Sequence, residues 1–511
     1  MTAPRTYLPK PIRNMIALSI MAAAIMNQID STIANVALPH MQGTTSSSRE
    51  QITWVLTSYI IAMAIATPLT GWLADRYGRK RVLMVSVLSF TVASGLCGIS
   101  INLNELIAFR ILQGVAGASL LPMAQVVLMD VNPPEERGRS MAVFGLGFIM
   151  GPLAGPLLGG WLTQNFSWHW VFLINLPIGV LAFLGISTFL PDYREETHRP
   201  FDLFGFALLV LGIGAFQLML DRGQMLDWFD STEICVTAGI SALALYLFAV
   251  HVKTTAHPFV RLEIFADRNF TVCTALGFFV GVLMFGTMSL VPPMLAGLFG
   301  QPIMRVGIAM APRGFGTFCA TMFVGRMVGK VDTRLLVLFG LLVCGVSSMM
   351  LASMSLASDN VVVLTAGFVS GFAMSFLFVP LSSTTFSTLP RHYMNEASAV
   401  STLIRYMGSA AGISIVQLAI TRNEAQVQSR LTEGLTPDNP VVSLALPDMD
   451  LSSVEGAGRM VGEATRQAMM VAYIDTFWIL GVMCVLATPL VLFLRRTTKL
   501  PDPDQMAEIS H

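Results

Sequence analysis

Asp30 is the residue that most invites a chemical reading. It stands in Asn27-Gln28-Ile29-Asp30-Ser31-Thr32-Ile33-Ala34-Asn35, late in a long apolar run. Carrying a carboxylate to membrane depth costs about 2.5–3.5 kcal/mol on insertion scales, and such groups usually face an interior cavity. With Asn27 three residues before it and Ala34 four after, a helix here presents a polar, narrow face. A low-dielectric setting disfavours the charged form, which brings protonation at physiological pH within reach. The reading is a proton- or cation-binding group; a structural polar contact at the outer interface is the alternative. Arg110, in Leu106-Ile107-Ala108-Phe109-Arg110-Ile111-Leu112-Gln113-Gly114, lies deep in another apolar run. A guanidinium cannot be neutralised in place, so it needs a carboxylate, carbonyl or water as acceptor. It either shifts the proton affinity of a nearby carboxyl or clamps backbone carbonyls. Arg313 and Arg405 fall nearer the inner ends of their runs and are expected to snorkel to the interface.

Three further patterns carry possible chemistry. The turn Gly71-Trp72-Leu73-Ala74-Asp75-Arg76-Tyr77-Gly78-Arg79-Lys80-Arg81 packs one acid among four bases. Asp75 can pair with an Arg or with a helix N-terminus, whose dipole favours a carboxylate; such a contact would latch two helices in one state and release them in another. A purely topogenic basic loop is the plainer reading. Gly147, Gly151, Gly155 and Gly159 recur every four residues with Pro152 and Pro156 among them. That spacing lines the glycines on one face for close helix approach, and the prolines remove backbone donors and bend the helix. Among 32 Met and 32 Phe, Phe278, Met284, Phe285 and Met288 form a cluster of flexible thioethers and rings suited to an apolar pocket. Asn27 and Gln113 are its polar candidates.

The elements that position these residues follow from composition. The chain has 511 residues, 54% hydrophobic and 12% charged, with a mean hydropathy of +0.66. Soluble globular domains carry about 25% charged residues, so this is an integral membrane protein. Lys+Arg 31 balances Asp+Glu 31, which leaves no basic field to recruit nucleic acid. The six Cys are singletons in apolar stretches and the seven His are dispersed, so no disulfide framework or metal site is expected. No GxSxG elbow, phosphate-binding loop or HExxH is present, so no enzyme and no ATP-driven device is indicated. The expected driving force is an ion gradient, without a cofactor.

A bilayer-crossing helix needs about 20 apolar residues, and the sequence offers fourteen such runs: 14–38, 52–73, 82–101, 104–129, 139–163, 169–190, 201–220, 232–252, 270–291, 304–325, 333–354, 361–386, 396–421 and 470–494. Their continuity indicates helices rather than barrel strands. The first carries Asp30 near its end and lacks a small-residue cleavage site, so it is not a signal peptide. With both termini inside, the inner segments hold three times as many Lys and Arg as the outer ones, the bias the positive-inside rule requires. Gly325-Arg326-Met327-Val328-Gly329-Lys330 echoes the basic turn without its acid. This faint repeat suggests an all-α transporter pattern of two bundles with a site between them. The organisation expected is a cytoplasmic tail 1–13, a six-helix bundle 14–190, two inserted spans within 191–268, a second six-helix bundle 269–494, and a tail 495–511. The second bundle includes an outer loop, 422–469, read as a linker or docking surface.

These motifs together resemble the major facilitator superfamily, in particular the fourteen-span drug:proton antiporters of EmrB/QacA type. Gly71-x-Leu73-Ala74-Asp75-Arg76-x-Gly78-Arg79-Lys80 is similar to the superfamily's loop 2–3 motif. Arg110 with Gln113 and Gly114 resembles the fourth-span motif, linked in the family to proton transfer. The Gly147–Gly160 stripe resembles the fifth-span antiporter motif, and Asp30-Ser31-Thr32-Ile33-Ala34-Asn35-Val36-Ala37-Leu38-Pro39 the first-span signature. Leu220-Asp221-Arg222-Gly223-Gln224-Met225-Leu226-Asp227-Trp228-Phe229 is similar to the matching stretch of EmrB-type inner-membrane multidrug efflux pumps. Gly329 departs from the pattern, standing where an acid would complete the repeat.

The resemblance implies proton-coupled export of amphipathic compounds by alternating access in a bacterial inner membrane. It also implies a periplasmic adaptor and an outer-membrane channel as partners. Asp30 and Arg110 would couple the proton, and Asp75 with its basic neighbours would stabilise the outward-facing state. An exporter of a native metabolite, lipid or siderophore, or a non-transporting membrane sensor or scaffold, remains open on sequence.

Overall fold

The computed structural model describes residues 8–47, 49–192, 200–223, 225–255, 258–433 and 454–495. Both expected tails lie wholly or partly outside these residues, as does the middle of the 422–469 loop. The described chain is helical, and no β-strand forms within it.

Helices α1 (Lys10–Thr45), α2 (Arg49–Ala66), α3 (Leu69–Tyr77), α4 (Arg79–Ile99), α5 (Leu103–Gly117), α6 (Leu120–Val131), α7 (Pro134–Asn165), α8 (Trp170–Leu173) and α9 (Asn175–Phe189) form a first bundle. Next come α10 (Leu203–Gly223), α11 (Thr232–Thr254) and the short α12 (Glu263–Ala266). A second bundle follows with α13 (Arg268–Gly297), α14 (Ile303–Met327), α15 (Thr333–Ala352), α16 (Asn360–Thr384), α17 (Met394–Glu433) and α18 (Val454–Val491). Among the described residues, eleven stretches are long and apolar enough to cross a bilayer, twelve if α2 and α3 count as one span bent by 53°. Pro68 sits at that bend, where its missing N–H breaks the ladder. Thr67, just before it, donates its hydroxyl to the Met63 carbonyl at 2.6 Å.

The polarity is that of a protein dissolved in lipid. Val85, Leu88 and Val92 on α4, Leu181 and Leu184 on α9, Leu243 and Tyr246 on α11 and Leu486 on α18 all point outward. Asn27, Asp30, Arg110, Gln113, Asn175, Arg313 and Arg405 are buried. With apolar surroundings there is no gain in hiding Leu, so the polar groups, which need partners, turn inward.

Pairing inside the two bundles repeats. In the first, α1 packs on α7, α2 on α5, and α4 on α9; in the second, α13 packs on α17, α14 on α16, and α15 on α18. These are the first with the fifth, the second with the fourth and the third with the sixth span of each bundle. The turns after the second spans match as well: Gly78 at φ 87° and Gly329 at φ 83° each take a left-handed conformation that only glycine adopts cheaply. Between bundles, α7 meets α14 and α16, while α17 meets α3 and α6. Helix α10 pairs with α11 and also touches α2 and α17, so an inserted span seals one side of the bundle interface.

The end bearing Arg13, Arg79, Arg137 and Arg261 is called the basic end here, and the opposite one the far end. At the far end α17 and α18 continue as helices past 421 and before 470. Residues 422–433 and 454–469 are therefore not loose linker: their Glu, Gln, Ala, Arg and Met composition favours helix, and Gln428 donates to Thr465 at 2.9 Å between the two extensions.

Candidate functional site

Five elements converge on Asp30. Helix α1 carries it, fully buried, and α5 brings Arg110 and Gln113, also fully buried. Arg110 Nη1 donates to Asp30 Oδ2 at 2.6 Å, and Gln113 Nε2 donates to Oδ1 at 2.9 Å. From α9, Asn175 Nδ2 donates to the same Oδ1 at 2.8 Å and to Ser94 Oγ of α4 at 3.0 Å. Arg110 also donates through Nε to the Val55 carbonyl of α2 at 3.0 Å and through Nη1 to Gln113 Oε1 at 2.8 Å. Its guanidinium lies 4.0 Å over the Tyr59 ring, and Asn27 reaches the Tyr59 hydroxyl at 3.2 Å.

Three donors on one carboxylate is what a buried anion requires, and hydrogen bonds to charged groups are each worth about 1.5–3 kcal/mol. Desolvating two ions costs several kcal/mol each, returned only when partners are complete. A proton added to Asp30 would leave Arg110 without its counterion, with its Nη2 already unpartnered. A change of charge on Asp30 would therefore disturb the packing of α1, α5 and α9.

A cavity of about 310 Å³ opens beside this cluster, at the lower end of the size of small-molecule sites. Arg110 and Tyr59 form the wall shared with the cluster; Phe285, Tyr406, Gln217 and Asp221 are among the residues that line the remainder. Asp221 of α10 accepts from Thr57 of α2 at 2.6 Å. Ser414 of α17 donates to the Leu220 carbonyl at 2.9 Å, so α10 is stitched to both bundles at the cavity edge. Of the six pocket candidates from sequence, Phe285 lines the cavity. Asn27 and Gln113 belong instead to the acid cluster behind its wall. Met284 is buried with its carbonyl toward Arg313 at 3.4 Å. Met288 packs into the general core, and the Phe278 backbone backs onto Gly408. Facing direction decides this, since helical spacing leaves the neighbour unspecified.

At the basic end the bundles are closed. Asn395, in the first turn of α17, donates to Asp75 Oδ1 at 2.5 Å and accepts from Arg79 Nε at 2.7 Å. Arg79 also pairs with Asp130. Arg261 pairs with Glu396 at 2.8 Å, and Ser398 donates to the Pro122 carbonyl at 2.9 Å. Gly71 permits the approach: a Cβ there would stand 3.0 Å from Glu396 Cα. Arg76 stacks on Trp72, 5.3 Å from the ring, and Lys80 donates to the Ser187 carbonyl at 2.8 Å. The acid of the turn therefore meets an asparagine at a helix start, across bundles.

The glycine stripe faces within a bundle. Cβ atoms at Gly147, Gly151, Gly155 and Gly159 would strike Met21, Gln28, Thr32 and Ile33 of α1, so the stripe seats α7 against the helix that carries Asp30. Arg313 and Arg405 do not snorkel: they are 1% and 7% exposed. Arg405 stands eleven residues beyond the start of α17 at Met394, about 16 Å along the axis, too far for its side chain to span. Sequence reasoning missed Tyr59, Ser94, Asn175, Gln217, Asp221, Asn395 and Glu396 as site residues. The signal available was polar or ionisable character inside an apolar run, clearest for Asn175 and Asp221.

The family model described as Major Facilitator Superfamily matches residues 20–413. The chain is 35% identical over 488 residues to the multidrug export protein EmrB of Escherichia coli strain K12, covering 94% of each. It is 35% identical over 486 residues to the multidrug export protein EmrB of Haemophilus influenzae, covering 92% of this chain and 94% of that one. Among solved structures, the proton:xylose symporter XylE superposes with a TM-score of 0.64 at 14% identity, covering 98% of this chain and 100% of that one; this likeness is one of fold.

Proposed function

The chain belongs to the major facilitator superfamily, and from that premise we propose that it is a proton-coupled multidrug exporter working by alternating access. The observation that carries the proposal is the Asp30–Arg110 ion pair, fully buried and directly behind the wall of the cavity of about 310 Å³. The multidrug export named for its EmrB relatives and a cavity lining that sets Leu56, Ile60, Met63 and Phe285 beside polar side chains such as Gln217 and Ser409 support amphipathic substrates.

The basic end faces the cytoplasm, following the positive-inside rule, with fourteen spans and both termini inside. The two less apolar spans that bring twelve to fourteen are α7 and α14, of 32 and 25 residues; at 1.5 Å per residue both exceed the hydrocarbon thickness of about 30 Å. With the Asp75–Asn395 contact shut, the cavity serves the outer side. A proton arriving there neutralises Asp30 and releases Arg110, and the helices it tied repack as the bundles rock. A proton moving inward supplies about 2.3 kcal/mol per 100 mV. An inner-membrane site, a periplasmic adaptor and an outer-membrane channel complete the proposal; the helical extensions of α17 and α18 are the part of the chain that would meet such an adaptor.

The test uses everted vesicles containing the full-length protein. An imposed acid-inside gradient should drive ethidium accumulation, and an uncoupler should abolish it. Accumulation that ignores the gradient but follows added ATP would overturn the proposal.

A further inference from the structure

Arg405 is a buried cation whose surroundings differ from those of Arg110. Its guanidinium lies against the rings of Phe148 and Phe378, 4.9 and 5.3 Å from their centroids, and those rings stack on each other at 4.6 Å. Aromatic faces attract a cation but accept no conventional hydrogen bond from it. Arg405 Nη2 makes one long contact, to Thr402 Oγ1 at 3.4 Å, and Nε has no partner. The ion pairs found among the described residues include Arg110 with Asp30, Arg79 with Asp130 and Arg261 with Glu396, and none of them includes Arg405. A buried charge without a counterion is a strongly unfavourable arrangement.

Beside the guanidinium is a small cavity of about 20 Å³, whose polar lining is Arg405, Gln125, Thr274, Ser401, Ser382 and Thr385. The Gln125 amide oxygen and the Thr274 hydroxyl are also buried without partners. A volume of this size admits one water or a particle like it. The donors available are the guanidinium, the hydroxyls of Thr274 and Ser382 and, after rotation of the amide, the Gln125 NH₂ group; Ser401 and Thr385 already donate to the Ser398 and Leu381 carbonyls. Fixed positive charge, hydroxyl donors and no acid make a site for a small anion. Gln125 and Phe148 belong to the first bundle and Arg405, Thr274 and Ser401 to the second, so the site straddles the interface between the bundles.

We propose that the Arg405 cavity is a monoanion site, occupied either by a halide or by the carboxylate head of an amphipathic acid. Access for the larger ligand rests on the alternating-access reading above, because the carboxylate's tail needs the bundles to part; halide binding does not depend on it.

The test is ligand binding to the purified full-length protein in sulfate buffer, by calorimetry and thermal melting. The probes are chloride, bromide, decanoate and the uncharged 1-decanol. Wild type should bind decanoate at least tenfold more tightly than decanol, or show a saturable halide-dependent rise in melting temperature. Arg405→Gln should lose that anion response at least tenfold with decanol binding unchanged, and Arg405→Lys should keep part of it. Competition between chloride and decanoate assigns the site to the carboxylate head; a halide response alone assigns it to the inorganic ion. Should Arg405→Gln not fold, Gln125→Leu, which removes one wall of the same cavity, should weaken the anion response tenfold. Equal anion responses in wild type and either folded variant, or no response in wild type, would overturn the proposal. Anion binding without any gradient-driven export would defeat the transport reading and leave this site standing; export without an anion response would do the reverse.

Discussion

Replacing Asp30 by Asn keeps the shape of the side chain and removes its charge, leaving Arg110 as an uncompensated cation in a buried site. Truncating one partner of a buried pair costs about 3–5 kcal/mol, and the Arg110 Nη1 contact of 2.6 Å with two supporting amides places this pair in that class. Arg110→Gln should cost a similar amount, because the carboxylate then keeps only Gln113 and Asn175. The double variant Asp30→Asn/Arg110→Gln restores neutrality and should cost no more than either single change. The expected coupling energy is therefore about 3 kcal/mol or more in magnitude. Equilibrium unfolding of the full-length protein by SDS in mixed micelles, followed by helical circular dichroism, measures all four corners of the cycle. Costs that add to within about 0.5 kcal/mol, as for independent sites, would refute the pairing.

Other consequences are equally specific. Gly71→Ala sets a methyl 3.0 Å from the Glu396 backbone, and overpacking of this kind costs about 1–3 kcal/mol. The closed basic end should open more often, seen by peptide mass spectrometry as several-fold faster maleimide labelling of Cys273, a free thiol buried on the wall of the Arg405 cavity between the bundles. Asn395→Ala removes the acceptor of Arg79 and the donor to Asp75 and should speed the same labelling; an unchanged rate in both would discount the latch. Gly155→Leu drives a side chain into Thr32 of α1, 2.1 Å from the first added carbon, and should lower the yield of folded protein on size exclusion, whereas Gly239→Leu, with open space around it, should not.

Asp202, at the basic end before α10, supplies a pH dependence. Burial pushes its carboxyl up, but the Gly205 N–H, His251 and the Phe259 N–H outweigh this and hold it below its ordinary value. A depressed carboxyl stabilises the fold above the ordinary value of about 3.9 and loses that contribution as the pH falls through its lower folded value. The difference in melting temperature between wild type and Asp202→Asn should accordingly be present at neutral pH and shrink on acidification below about pH 4. A difference that grows there would reverse the assignment.

The parts of the site that stand out in sequence are those that break an apolar pattern. Asp30, Arg110 and Gln113 can be read because charge and amide in hydrocarbon need a reason, and the turn Gly71–Lys80 because its charges are dense. What spacing cannot supply is the neighbour. Gly147 to Gly159 announce close packing but not that α1 is the partner. Asp75 announces a latch, but Asn395 is 320 residues away and unremarkable in its own run. Arg405 looks like a snorkelling residue until the depth of its position on α17 is known. The span boundaries at 421 and 470 follow hydropathy, whereas the helices follow propensity and mutual packing and run on beyond the apolar segment.

The claim on which the rest depends is that substrate and proton compete through Asp30. The most direct measurement is proton release from the detergent-solubilised protein in weakly buffered solution on addition of rhodamine 6G. The wild type should release protons saturably with substrate, and Asp30→Asn should bind the dye yet release none. Undiminished release from Asp30→Asn would contradict the account.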